Sequence, residues 1–285
     1  MVYEKDEAMN LQEITKAYDF TGKTVAVTGG GGVLCGEMAK CLAGCNANVV
    51  ILDRDMSLSE KALQSLKGTK GKHNAVFIDV LDKAKVQEAA DKTLAEYGKV
   101  DILINGAGGN NPRATTSAEM SFFDIPAEAI QFVSNLNLIG TILPSQIFGK
   151  AMVAQKEGII LNISSMNAFR PLTRIPAYSA AKAAISNFTQ WLAVHMAQEY
   201  TPNIRVNAIA PGFFLTDQNR FLLTDKLTGE LTARGKKILD HTPAGRFGTP
   251  DDLLGAMLWL LSPASKFVTG IVLPIDGGFS AYSGV

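Results

Sequence analysis

A single doubly wound parallel α/β sheet is the fold this sequence predicts, and three observations predict it. Short β-branched, apolar runs alternate with helical stretches along the chain. The first run leads through a glycine-rich turn directly into a helix. No repeat or low-complexity linker divides the 285 residues. This alternation favours one parallel sheet of about seven strands with helices on both faces.

The elements follow in order. Residues 1–20 read as an N-terminal arm with one short helix, and 21–285 as one domain. KTVAVT (23–28) is a buried strand, followed by the turn and helix GGGGVLCGEMAKCLAG. NVVILD (48–53) is the second strand, and SLSEKALQSLKG a helix stopped by glycine. NAVFIDV (74–80) and VDILINGAG (100–108) are the next strands, separated by a helix ending at Gly98. After a loop over 109–125, residues 126–153 read as a long helix bent near Pro144. IILNIS (159–164) precedes the helix YSAAKAAISNFTQWLAVHMAQ, which lacks proline and glycine. NIRVNAIAPG (203–212) is the sixth strand. Residues 213–249 form a polar, partly helical excursion, read as a substrate lid. A helix over 250–262 and a last strand, GIVLPIDGG (270–278), complete the sheet.

Composition excludes several classes. Lys+Arg and Asp+Glu are both 27, so no net charge speaks for nucleic acid or an anionic membrane. Cys35, Cys41 and Cys45 are odd in number and lie on one helix with no histidine nearby. That is neither a disulfide framework nor a zinc site, so no metal is expected and the thiols read as neutral groups in a reducing cytoplasm. The N-terminal stretch has no continuous apolar core of a signal peptide, and no run reaches membrane-spanning length.

Two stretches carry chemistry. A glycine turn between a buried strand and a helix lets backbone approach a pyrophosphate at a helix N-terminus. The G-x-G-x-x-G pattern is not met, because Leu34 and Cys35 fall where glycines are needed, and TGGGG alone also fits a plain turn. Asp53 ends the second strand, where a carboxylate accepts from an adenosine ribose and repels a 2′-phosphate, unless it merely closes a turn. Asp79 stands at a similar strand end, toward the adenine side. The second stretch runs from Ser165 to Lys182. Tyr178 follows Ser165 by thirteen residues and Lys182 follows Tyr178 by four. Helical spacing puts Tyr178 and Lys182 on one face. A tyrosine titrates near 10 when free, and a neighbouring ammonium favours the phenolate. Such a phenol can exchange a proton with a substrate oxygen that Ser165 holds.

These residues, in this order, resemble the short-chain dehydrogenase/reductase family. The matches are Thr28 to Gly32, Asp53, Asp79-Val80, Asn105-Gly106-Ala107-Gly108, Asn137, Ser165, Tyr178 with Lys182, Pro211-Gly212 with Thr216, and Asp276-Gly277-Gly278. They span about residues 21–280. The resemblance implies a Rossmann sheet, a nicotinamide cofactor and a catalytic tetrad. Asn137 would hold a relay water, Ser165 orient the substrate oxygen, and Tyr178 act as acid/base. Lys182 would hold the nicotinamide ribose and lower the tyrosine's pKa. Cofactor contacts fall on Gly29, Gly32, Val33, Leu34, Asp53, Arg54, Asp79, Val80, Asn105, Gly106, Ala107, Tyr178, Lys182, Pro211, Gly212, Phe214 and Thr216. Asp53 favours NAD, whereas the Arg54 guanidinium is the argument for NADP. The family's turn T-G-x-x-x-G-x-G departs here at Val33 and Cys35. The resemblance also implies a homotetramer, with the 126–153 and 177–200 helices and the C-terminal segment at interfaces.

Within the family, the stretches around 164–197, 207–225 and 240–248 resemble the D-mannonate oxidoreductase (fructuronate reductase) branch, with gluconate 5-dehydrogenase-like enzymes close by. A small-molecule sugar acid needs a cation and amide or hydroxyl partners. Asn110, Asn167, Arg170, Arg174 and Arg220 are the candidates, with Arg170 first because it follows Ser165 by five residues. The alternatives are another polyol, gluconate, a steroid or a 3-oxoacyl thioester, or a nucleotide-sensing regulator without chemistry. The polar lid, with Asp217, Gln218, Asn219 and Arg220, favours the small polar substrate.

Overall fold

The computed structural model describes residues 10–215, 220–225 and 228–284. Seven strands form the sheet: β1 Thr24–Thr28, β2 Asn48–Asp53, β3 His73–Phe77, β4 Ile102–Asn105, β5 Gly158–Ile163, β6 Ile204–Pro211 and β7 Val272–Ile275. All pair in parallel, in the order β3-β2-β1-β4-β5-β6-β7. The central strands read as unbroken apolar runs because helices cover both faces. All of β1, β4 and β6 is buried. Chain order reverses at β1, which lies between β2 and β4, with Thr28 opposite both Leu52 and Asn105. Ligands bind at that switch, outside the carboxyl ends of the strands.

The helices are α1 Leu11–Ala17, α2 Val33–Gly44, α3 Met56–Gln64, α4 Lys83–Tyr97, α5 Ala127–Ser134, α6 Gly140–Gln155, α7 Pro176–Glu199, α8 Arg220–Leu223, α9 Ala233–Asp240 and α10 Leu254–Leu261. Local chemistry sets their ends. Asp55 and Asp82 cap α3 and α4 by accepting from backbone N–H groups of the first turn, and Gly98 closes α4 at φ 75°. On one face of the sheet, Met38 and Leu42 of α2 and Met257 and Leu260 of α10 pack on Val25, Val27 and Ile51. On the other, Val86, Phe148, Met152, Leu192 and Met196 from α4, α6 and α7 pack on Val50, Leu103 and Ile160.

The 126–153 stretch is not one regular helix: a π-helical segment over Asn135–Ile139 divides α5 from α6, and Pro144 sits inside α6. The Gly140 N–H there reaches back to the Asn135 carbonyl, one residue beyond the α-helical partner. Of the arm, residues 10–20 are described. Asn10 and Glu13 form a reciprocal cap on α1, which buries none of its residues.

Candidate active site

The carboxyl ends of β1, β2, β4, β5 and β6 open on one cleft of about 550 Å³. The glycine turn forms one wall. Gly32 caps α2, accepting from Gly36 N (2.7 Å), while Gly32 N donates to Gly29 O (3.0 Å). Gly29 sits at φ 65°, and a Cβ there would lie 2.8 Å from Ala107 N, so β1 and β4 approach closely only through glycine. Val33 and Cys35 are accommodated, and the reason lies on β4. Cys35 is buried in the cleft wall, and its sulfur fills the space a side chain on Gly106 would need. Burial pushes the Cys35 thiol up to about 12, which leaves it protonated and inert.

Asp53 takes Gly31 N at 3.1 Å through one carboxylate oxygen and Asp55 N at 3.0 Å through the other. It thus braces the turn while lining the cleft beside Arg54, Asp79 and Val80. A carboxylate keeps lone pairs beyond those two bonds for further donors. Gly29, Gly32, Val33, Leu34, Gly106, Ala107, Pro211, Gly212 and Phe214 line the same cleft. Thr216 lies outside the described residues. Asn105 does not line it. Its side chain is buried within the sheet, donating to Ser145 Oγ and to Asn162 Oδ1, both at 2.9 Å. Asn105 therefore ties β4 to β5 and α6 rather than facing a ligand.

At the opposite wall stand Ser165, Tyr178 and Lys182. Ser165 follows β5, and its hydroxyl accepts from Asn167 N at 3.3 Å. Lys182 is 5% exposed and, among the described residues, has no carboxylate partner; its ammonium donates to the Ile163 carbonyl at 2.8 Å. Burial pushes it down to about 8. That ammonium lies over the Tyr178 ring, 5.5 Å from its centre. The phenol is held above its ordinary value of 10.0, not below it: burial raises it, and the Ser165 hydroxyl offsets this in part.

Asn137 is fully buried behind this wall. The π-helical segment turns it toward Gly109, where its amide donates to the carbonyl (2.7 Å) and accepts from the N–H (3.2 Å). A second donation goes to Val133 O at 2.8 Å. With its side chain spent on backbone, Asn137 pins the β4 loop and does not itself line the cleft.

The substrate candidates divide. Asn167 is buried beside Ser165, with an amide oxygen that meets no partner. Asn110 is turned onto Thr115 (2.9 Å) in its own loop. Arg170 donates through Nε to Ser280 O at 3.1 Å, which ties its loop to the C-terminal turn, and it does not line the cleft beside Ser165. Arg174 lines a second cleft, and Arg220 is exposed at the start of α8. Arg234 and Lys237 on α9, not singled out from the sequence, line that second cleft too. Their helical spacing was the signal available, lost in a polar stretch.

Residues 34–280 match the family described as enoyl-(acyl carrier protein) reductase. An uncharacterized oxidoreductase of Haemophilus influenzae is 48% identical over 283 residues, covering 95% of this chain and 98% of that protein. A 2-dehydro-3-deoxy-D-gluconate 5-dehydrogenase of Bacillus subtilis is 35% identical, covering 92% and 96%. Among solved structures, one from Haemophilus influenzae with bound NAD, provisionally assigned as a D-mannonate oxidoreductase, superposes with a TM-score of 0.89 at 48% identity, covering 95% of this chain and 100% of that one.

Proposed function

The chain belongs to the short-chain dehydrogenase/reductase family of oxidoreductases acting on alcohols and ketones, and on that premise we propose that it moves a hydride between NAD and a sugar acid of the mannonate/fructuronate type. The observation that carries this reading is the convergence of Ser165, Tyr178 and Lys182 on the cleft that the glycine turn and Asp53 line. The bound NAD and the provisional assignment of the Haemophilus structure support it, as does the sugar-acid chemistry named for the Bacillus relative.

Gly29, Gly32 and the N-terminus of α2 would hold the pyrophosphate, and Asp53 the adenosine ribose. When bound, the nicotinamide accepts or supplies the hydride. This chain's residues manage the proton. In reduction the Tyr178 hydroxyl gives its proton to the substrate oxygen, and in oxidation the phenolate takes it back. Ser165 donates a hydrogen bond to that oxygen, and the Lys182 ammonium, over the ring, stabilises the phenolate as it forms. Asn137 positions the wall through Gly109.

A homotetramer belongs to the same reading, supported by Trp191 and Val194 of α7 and Ile130 and Phe132 of α5, all exposed in the single chain. Light scattering of the purified protein tests it. A cytoplasmic location is part of the proposal. No helix among the described residues is long and apolar enough to cross a membrane.

The functional test is a cofactor-coupled screen of sugar acids, neutral polyols, a steroid alcohol and 3-oxoacyl thioesters. Highest kcat/KM for a hexonate or its keto acid with NAD(H) is expected. Turnover confined to thioesters or steroids refutes the assignment.

A further inference from the structure

Beside the catalytic wall lies a second cleft of about 590 Å³. The two share their supports. Arg174 sits on the loop that joins Ser165 to Tyr178, and Phe213 directly follows Gly212 of the cofactor cleft. The far side belongs to α9, where Arg234 and Lys237 project with His241 just past the helix end. Positions separated by three and then four residues share one helical face, so this cationic row is a consequence of the local sequence. Phe213 and Phe279 give the cleft an apolar floor. His241 packs edge-on against Phe279 with ring centres 4.8 Å apart, which fixes the imidazole at the rim.

The charges here are unanswered. Among the described residues no carboxylate lines the cleft, and Asp240 of the same helix is not in its lining. Among the described residues, Arg174, Arg234 and Lys237 have no side-chain hydrogen bond or ion pair. Other arginines near the site differ. Arg113 is held by Glu128 at 2.6 Å, and Arg246 takes Asp252 in two bonds of 2.6 and 2.7 Å. These three exposed, unpaired cations repel one another around an apolar floor, and an anion entering between them relieves that.

We propose that this cleft is the subsite for the substrate's carboxylate, with Arg234 and Lys237 as the pair that reads it and Arg174 facing them. The inference rests on the sugar-acid reading above and deepens it. Arg170, bonded through Nε to Ser280 O, does not line this cleft. The floor takes the carbon chain, and the row of cations turns the acid so that its other end faces Tyr178 and Ser165. Acids are thereby selected over neutral sugars by residues of the lid.

The test measures kcat and KM of native protein, Arg234→Gln/Lys237→Gln and Arg234→Lys on D-mannonate and on D-mannitol. The double variant should raise KM for the acid by ~10–100-fold, the usual worth of charge-assisted hydrogen bonds. Its kcat should change far less, its KM for mannitol should stay put, and Arg234→Lys should keep most of the acid preference. On the native protein, D-mannonate and not D-mannitol should protect Lys237 from acylation mapped by mass spectrometry. Equal KM shifts for acid and polyol, or no protection, overturn the subsite while leaving the sugar-acid reading intact. Native preference for the neutral polyol overturns both.

Discussion

Among the described residues two cations are buried without a carboxylate beside them, one at each end of the sheet. Arg205, near the start of β6, is 7% exposed. Its guanidinium donates to the carbonyls of Leu260, Ser262 and Val268 and to Ser265 Oγ, at 2.9 to 3.3 Å. Those carbonyls belong to the C-terminus of α10 and the turn after it, where a helix presents unsatisfied acceptors and partial negative charge. Lys182, at the carboxyl ends of the strands, is equally buried and makes one such bond, to Ile163 O. Arg205 is satisfied and structural. Lys182 is left short of partners, and burial accordingly drives its proton affinity down to about 8. On the proposed function, a buried charge with spare donors facing a cleft serves the chemistry, and Arg205 is the contrasting case in which the same burial is matched by acceptors.

The largest expected effect is on Tyr178. Tyr178→Phe should lower kcat by ~10²–10⁴ through loss of the acid/base, with NAD affinity and thermal midpoint nearly unchanged. Steady-state kinetics beside calorimetry checks this, and native turnover in the variant removes Tyr178 from the mechanism. At the other end, Arg205→Met removes four buried hydrogen bonds, although Leu260 O and Ser262 O still accept from Ser265 Oγ and Val268 O from Asn207 Nδ2. It should cost about 2–3 kcal/mol in urea unfolding, the loss expected for charge-assisted hydrogen bonds whose neutral acceptors keep other donors. The molecules that remain folded should keep their kcat. A large fall in kcat at full folding would erase the distinction between the two ends.

The pH dependence of stability sharpens the comparison. Lys182 falls from an ordinary 10.5 to about 8 on folding. Between those values the unfolded chain binds more protons, so folding strengthens as pH rises through that window, and the penalty is complete below pH 8. Titrating unfolding free energy of native protein against Lys182→Met should expose a difference of ~3 kcal/mol developing from pH 8 to 10.5. A flat difference means the lysine is not desolvated as its burial implies. A smaller effect falls on Asp53. Asp53→Ala should move kcat/KM toward NADP by roughly 10-fold or more, because the ribose loses an acceptor and a 2′-phosphate loses a repulsion worth ~1–2 kcal/mol. No change in the NAD/NADP ratio assigns Asp53 to bracing Gly31 alone.

Much of this was readable from the chain. The apolar runs at 24–28 and 48–53, and the run at 204–211 interrupted by Arg205 and Asn207, are buried strands because both sheet faces are covered. Tyr178 and Lys182 share a face because helical periodicity demands it. What escaped depends on contacts distant in sequence. The π-helical segment at Asn135–Ile139 carries no local signature, and Pro144 drew attention one turn too late. Asn105 belongs to a motif, yet its amide answers Ser145 and Asn162, forty and more residues away. Arg170 lies near Ser165 in sequence but reaches Ser280, while Arg234 and Lys237 are distant in sequence and line the adjoining cleft. Arg205 looks like a surface charge interrupting a strand until α10 is placed over it.

The central claim, that Lys182 is retained for catalysis against the preference of the fold, is tested most directly by Lys182→Met at neutral pH. Turnover of D-mannonate with NAD and unfolding free energy are measured on the same samples. The account predicts turnover reduced by ~10²-fold or more while the variant unfolds at an equal or higher urea midpoint, because a desolvated charge has been removed. A variant that loses stability in step with its activity would contradict it, and would place Lys182 with Arg205 among the supports of the sheet.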